Sequence, residues 1–252
     1  MKLLRHPLLW SLAALALLVL AMPALSPLFS MLFPQLDRPV YLQQSFVDLL
    51  GWHVLIVGAS SAVSSLVGLA IAVFVTRQRG REFRALFDSL VAIAQTVPPV
   101  AVLAICAPLI GFGFWPALIA LALYGLLPVA QAATSGITNV RSEVREAALA
   151  FGMTPWQLLT QVELPLAAPL IVAGVRSAML INVGTAAIAS TVGTQTLGTP
   201  IIVGLSGFNT AYVLQGAAVL ALLALVVDQA FDLAQRQAGW NRVGDRANLS
   251  AE

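Results

Sequence analysis

The sequence predicts an all-α, polytopic membrane protein of six transmembrane helices with both ends in the cytosol, and three observations predict it. The first is charge: only 10% of residues are charged and 59% are hydrophobic, with mean hydropathy +0.90. A soluble domain carries about 25% charged residues, so a soluble globular fold is excluded. The second is a set of apolar runs, each near the ~20 residues that cross a bilayer as a helix, at about 8–25, 52–75, 87–110, 114–133, 166–191 and 212–231. They leave room for one membrane domain over residues 1–252 and no separate soluble one. The third is the placement of arginine. Lysine and arginine collect in cytosolic loops; with both termini inside, eleven of the thirteen basic residues lie on that face, Arg38 falling outside and Arg176 within a span. The same rule accounts for the basic balance, so no nucleic-acid partner is needed.

Lys2 and Arg5 precede the first run, which resembles a secretory leader at that end. Its apolar core of about 18 residues exceeds the usual 7–15 and lacks a small-x-small cleavage site, so a retained helix is expected. The second run begins near His53 on the outer side, and Arg77, Arg79, Arg81 and Arg84 follow it on the inner side. In the third, Pro98-Pro99 and Pro108 predict a kinked helix packed inside the bundle, because freed carbonyls are tolerated only where neighbours or water satisfy them. Gly111 and Gly113 predict a tight outer turn into the fourth run. The uncharged segment Gly193–Asn209, rich in glycine, reads equally as a re-entrant or a surface loop. Trp10, Trp52, Trp115 and Trp240 near run ends read as interfacial anchors. Cys106, the one cysteine, is expected as a buried thiol; with His6 and His53 far apart, no metal site is expected.

Between the fourth and fifth runs, about 134–165, lies a charged segment long enough to fold. Val144, Ala147, Ala148 and Phe151 recur at helical spacing, Ser142 reads as an N-cap, and Glu143 and Glu146 suit the positive end of the helix. Gly152 is placed to close that helix in a left-handed conformation. Thr154, Pro155 and Gln157 then read as a capping box with proline at its favoured position, opening a second short helix. Pro165 reads as the point of re-entry into the membrane. Phe151, Met153 and Trp156 would leave this knob with apolar surface for a partner.

Glu146-Ala147-Ala148, three residues, Gly152, nine residues, then Val162-x-Leu164-Pro165 resembles the signature loop of permease subunits of binding-protein-dependent ABC importers. Val162 stands in place of the isoleucine. The resemblance implies a type I ABC importer permease fold in which Glu146, Ala147, Ala148, Gly152, Leu164 and Pro165 form a coupling helix docking on a cytosolic ATPase. It also implies a dimer of that ATPase, a second permease subunit, identical or not, and a periplasmic substrate-binding protein, in a bacterial inner membrane. Gln95-Thr96-Val97-Pro98-Pro99, Leu123–Val129, Val162–Pro169 and Gly184–Ala189 are similar to osmoprotectant permeases, those for glycine betaine, choline and carnitine. Val192–Gly198 with Pro200–Asn209 is most similar to the low-affinity Yeh-type glycine betaine importer. Related permeases serve methionine, phosphonates and sulfonates, and these substrates stay open.

The chain itself is expected to bind no cofactor and to be no enzyme. A phosphate-binding Walker A loop needs a lysine, and the only one is Lys2, so ATP and Mg²⁺ are expected on the partner ATPase. Thr96, Pro98, Asn182 and Thr185 are candidates for lining a substrate path, with interhelical packing as the competing role. Arg176, about ten residues into the fifth run, is too costly to leave alone in the bilayer; a pair with Asp228 is expected, with Asp88 or snorkelling to lipid as the alternatives. A secondary transporter is the competing class, but it calls for ionisable groups near the midplane or inverted repeats, and Arg176, Asp228 and Asp88 all lie toward the cytosolic side.

Overall fold

The structure is a computed structural model, and it describes residues 7–240. Lys2, Arg5, Arg242 and Arg246, counted above in orienting the termini, and His6 lie outside the described residues. Among those described there is no strand. The helices are α1 (Pro7–Ala21), α2 (Ser26–Leu32), α3 (Phe46–Thr76), α4 (Arg84–Thr96), α5 (Pro99–Ile110), α6 (Phe114–Thr138), α7 (Ser142–Ala150), α8 (Pro155–Leu158), α9 (Leu164–Thr185), α10 (Thr199–Ser206) and α11 (Thr210–Gln237). Among the described residues five helical stretches are long and apolar enough to cross a membrane, or six if Arg81–Ala94 and Pro99–Ile110 count as one broken span.

Helical stretches run past several predicted limits. The first run continues through a 3₁₀ turn (Met22–Leu25) into α2, because Pro23 and Pro27 fall in the first turn of each successive piece, where the missing N–H costs nothing. The third run departs from expectation. It is two helices, not one kinked helix: Val97 and Pro98 are both extended, at ψ 121° and 142°. Pro98 forces the residue before it out of the helical region and Pro99 opens the next helix at its first turn. The fifth run also ends sooner, at Thr185 rather than near 191. A 3₁₀ turn (Ile188–Val192) follows, closed by Gly193 at φ +82°. Cys106 is half-buried, not buried.

The chain forms two compact units. The first takes the described part of Met1–Ser60 with Pro98–Leu121 and Met179–Phe231. Its core includes Met22, Tyr41, Leu49, Ile56, Leu121 and Leu197. The segment 193–209, open in the sequence reading, contains α10, which lies tightly on the start of α11: a Cβ on Gly204 would fall 2.8 Å from a Val213 methyl, and one on Gly216 2.6 Å from Ile201. Polar groups pin the same region. Thr196 donates to the Ala186 carbonyl (3.1 Å), which also accepts from the Ala189 N–H (3.2 Å), and Thr194 donates to the Gly113 carbonyl (2.8 Å). The Gln215 amide accepts from the Tyr41 N–H and donates to the Pro39 carbonyl, so the extended chain before α3 is tied to α11.

The second unit takes Ser61–Val97 and Ala122–Ala178 with the described residues after Asp232. Small residues bring its helices close. A Cβ on Gly174 of α9 would lie 2.5 Å from Ala132 Cβ and 2.8 Å from the Pro128 carbonyl of α6; one on Gly68 of α3 would lie 3.1 Å from Val129. Such approach is how helices associate in a solvent as apolar as their own side chains.

Candidate functional site

The segment after α6 builds the candidate site, and local chemistry shapes most of it. α7 does not begin with the predicted cap: Ser142 is already helical, and no side chain caps that end. Extended Arg141 precedes the helix, and its carbonyl accepts from the Val144 and Arg145 N–H groups. The other end follows the prediction closely. Gly152 sits at φ +84°; its N–H donates to Leu149 (2.9 Å) and the Met153 N–H to Ala148 (3.2 Å). Those two bonds are the Schellman closure, which only a residue free to adopt positive φ completes without strain.

Two residues on, the capping box forms. Thr154 Oγ1 accepts from the Gln157 N–H (3.3 Å), Gln157 Oε1 accepts from the Thr154 N–H (2.8 Å), and Pro155 occupies the first turn. The second helix is not the short separate element expected. α8 passes through a π-helical turn (Leu159–Glu163) directly into α9, making one helical run Pro155–Thr185. Pro165 has no N–H to give and its ring crowds the carbonyl four residues back; widening the preceding turn relieves both without breaking the helix.

The signature residues divide by exposure. Glu146, Ala147, Gly152 and Pro165 are exposed, Leu164 is half-buried and Ala148 is buried. The expected inward face of α7 is therefore only Ala148, with Val144 half-buried. Phe151 (88% exposed) and Trp156 (70%) point outward beside Leu149, while Met153 is half-buried. A charged segment outside the apolar spans thus carries two large apolar side chains almost wholly open, which marks a contact surface when they cluster.

Glu163, the unspecified position of the signature, is the residue the sequence reading missed. Its side chain is 3% exposed and meets two guanidinium groups. Arg77, just past the end of α3, donates to Oε2, and Arg145 of α7 approaches Oε1 at 3.2 Å. Arg145 also donates to the Ile137 carbonyl in the last turn of α6. The sequence treated both arginines only as markers of the inner face. The available signal was an acid at the membrane boundary of a loop that also carries Arg141 and Arg145, a place where an uncompensated charge is costly.

The candidate path residues are dispersed. Asn182 is fully buried and donates to Ser60 (3.2 Å) within the first unit, a packing bond between α9 and α3. Thr185 is half-buried. Thr96 and Pro98 are exposed, and the Thr96 hydroxyl returns to the Ile93 carbonyl of its own helix. A second polar feature lies in the other unit: Gln131 and Ser135 of α6 and Ser177 of α9, all exposed, line a groove of about 400 Å³ over Gly174. Arg176 and Asp228 are both half-buried and neither lacks an interaction. Asp88 is exposed, 4.0 Å from Arg84 one turn earlier. No group of three or more metal-ligating side chains occurs among the described residues.

Residues 64–238 match the family described as "Binding-protein-dependent transport system inner membrane component". The chain is 37% identical over 176 residues to the osmoprotectant import permease protein OsmY of Salmonella typhimurium, covering 70% of this chain and 75% of the relative. It is 35% identical over 185 residues to the choline transport system permease protein OpuBB of Bacillus subtilis, covering 73% and 84%. Among solved structures it resembles a chain of the MetNI methionine ABC transporter in an inward-facing conformation, with TM-score 0.69 and 22% identity over 76% of this chain and 94% of that one. At that identity the likeness speaks for the fold.

Proposed function

Because this chain belongs to the family of binding-protein-dependent transport system inner membrane components, we propose that it is the permease subunit of an ATP-driven importer for a quaternary ammonium osmoprotectant of the glycine betaine or choline type. The observation that carries the transport mechanism is the loop itself. A Schellman turn and a capping box, two residues apart, hold Phe151 and Trp156 outward beside exposed Leu149. In this reading Glu146, Ala147, Ala148 and Gly152 dock on a cytosolic ATPase dimer that binds ATP and Mg²⁺, while Leu164 and Pro165 join the docked element to α9. A second permease subunit and a periplasmic binding protein complete the complex in a bacterial inner membrane. The substrate class rests on the relatives named above.

Reconstitution of the permease with its ATPase and binding protein in liposomes tests this directly. ATP-dependent uptake of labelled glycine betaine or choline is expected; uptake of methionine alone would move the protein to another branch of importers, and ATP-independent uptake driven by an ion gradient would overturn the reading.

The orientation is tested separately. In a Cys106→Ser background, Thr210→Cys at the exposed start of α11 should react with an impermeant thiol reagent from outside intact spheroplasts. Gln78→Cys, exposed among the arginines after α3, should not. The opposite pattern would place the loop on the far side from any ATPase.

A further inference from the structure

Glu163 lies within the matched loop, but the likeness gives it no part to play. Its carboxylate is buried, and every strong partner comes from a different stretch of chain. Arg77 continues from the end of α3, Arg145 stands in the middle of α7, and Arg145 in turn holds the Ile137 carbonyl at the end of α6. Glu163 itself closes the π turn from which α9 rises. Three segments of one compact unit therefore meet at one carboxylate, and a fourth, the end of α6, joins them through Arg145. Two of them, α7 and the α8–α9 run, carry the exposed apolar side chains, and the other two are the ends of long spanning helices.

The geometry is that of a mechanical link. Arg77 donates a hydrogen bond to Oε2, and a planar guanidinium makes such a bond directional. Arg145 is held to the same carboxylate by charge, its Nε 3.2 Å from Oε1 without a hydrogen bond, while its own hydrogen bond goes to the Ile137 carbonyl. Both arginines are 29% exposed, so solvent screens these contacts only in part. Elsewhere α7 is tied to this unit by the short turns at its ends, by buried Ala148 and by half-buried Val144.

We propose that Glu163, Arg77 and Arg145 form a positioning clamp that makes α7 and the inner ends of α3 and α6 move as one body with the start of α9, so that displacement of the loop by a docked partner reaches the spanning helices. The proposal rests on the coupling reading of the loop. The clamp residues touch neither nucleotide nor solute; they act through the helices they join.

Single substitutions confound stability with coupling, because removing Glu163 leaves two facing arginines. The informative variant is therefore the triple Arg77→Met/Arg145→Met/Glu163→Leu, which removes every charge together. Reconstituted with saturating ATPase and binding protein, it should keep the wild-type unfolding midpoint in detergent and bind the ATPase. It should hydrolyse ATP while solute moved per ATP falls at least about fivefold. The conservative Arg145→Lys/Arg77→Lys variant should recover part of that ratio. A triple variant with the wild-type ratio of solute to ATP would overturn the clamp. So would one that no longer associates with the ATPase at any concentration, since the link would then serve docking and not transmission. Phe151→Ala/Trp156→Ala in the wild-type background separates the premise: it should weaken ATPase association, and unchanged association would remove the coupling reading itself.

Discussion

Gly152→Pro is expected to abolish ATP-driven uptake while leaving the membrane helices folded. Proline fixes φ near −65° and has no N–H. Gly152 stands at φ +84° and donates to the Leu149 carbonyl, so both the turn and one of its closing bonds are lost together. The residue is exposed, and a Cβ there would meet nothing within 4 Å. The damage is therefore confined to the angle between α7 and α8, which sets how Phe151 and Trp156 are presented. A displaced docking surface that costs ~1.4 kcal/mol already lowers the competent population about tenfold, and the incompatible φ costs more than that. Substrate-stimulated ATP hydrolysis in liposomes should fall at least about tenfold, with an unchanged unfolding midpoint in detergent. Gly152→Ala, which can reach left-handed φ at a cost of roughly 1–2 kcal/mol, should lie between. Wild-type stimulation in the proline variant would sink the role assigned to the turn.

The second large effect is expected at His53. Its ring is fully buried in α3, with Nδ1 accepting from the Leu197 N–H (3.3 Å) and Nε2 donating to the Val183 carbonyl (3.1 Å). The accepting role of Nδ1 assigns the proton to Nε2. One imidazole thus satisfies a backbone donor just before α10 and a carbonyl near the end of α9, where the helix gives way to irregular chain. His53→Leu keeps most of the volume and leaves both groups without that partner. Each unsatisfied buried group costs about 1–3 kcal/mol. A loss of several kcal/mol is the expected sum, read as a drop of the unfolding midpoint and of folded yield in detergent. His53→Gln, which can still accept and donate, should recover part of it. A Leu variant as stable as wild type would show that the ring is only filler.

The contrast between these two sites shows how much was legible in the chain. Gly152, Thr154 and Gln157 act on neighbours within three or four residues, so spacing alone announces them. The same holds for the Pro98-Pro99 interruption, although the chain's response, two helices in place of a bent one, depends on two consecutive residues turning extended. Ser142 was misread because an N-cap needs an extended backbone as well as a hydroxyl, and Arg141 took the extended position. Pro165, read as the point of re-entry into the membrane, lies within a continuous helical run because the turn before it widens into a π turn.

By itself the sequence determined the class of protein, the arginine-rich face, the position of the loop and the chemistry of its two turns. Each of these is a one-body or nearest-neighbour property: hydropathy summed over a run, charge counted between runs, a glycine's freedom of φ, a hydroxyl three residues from its donor. Only the tertiary structure decided that Glu163 receives Arg77 from 86 residues away, and that His53 joins Val183 and Leu197 across 130 and 144 residues. Partners so distant leave no periodicity in the chain. They are selected by the desolvation cost of a buried polar group, which exists only once the helices have packed around it.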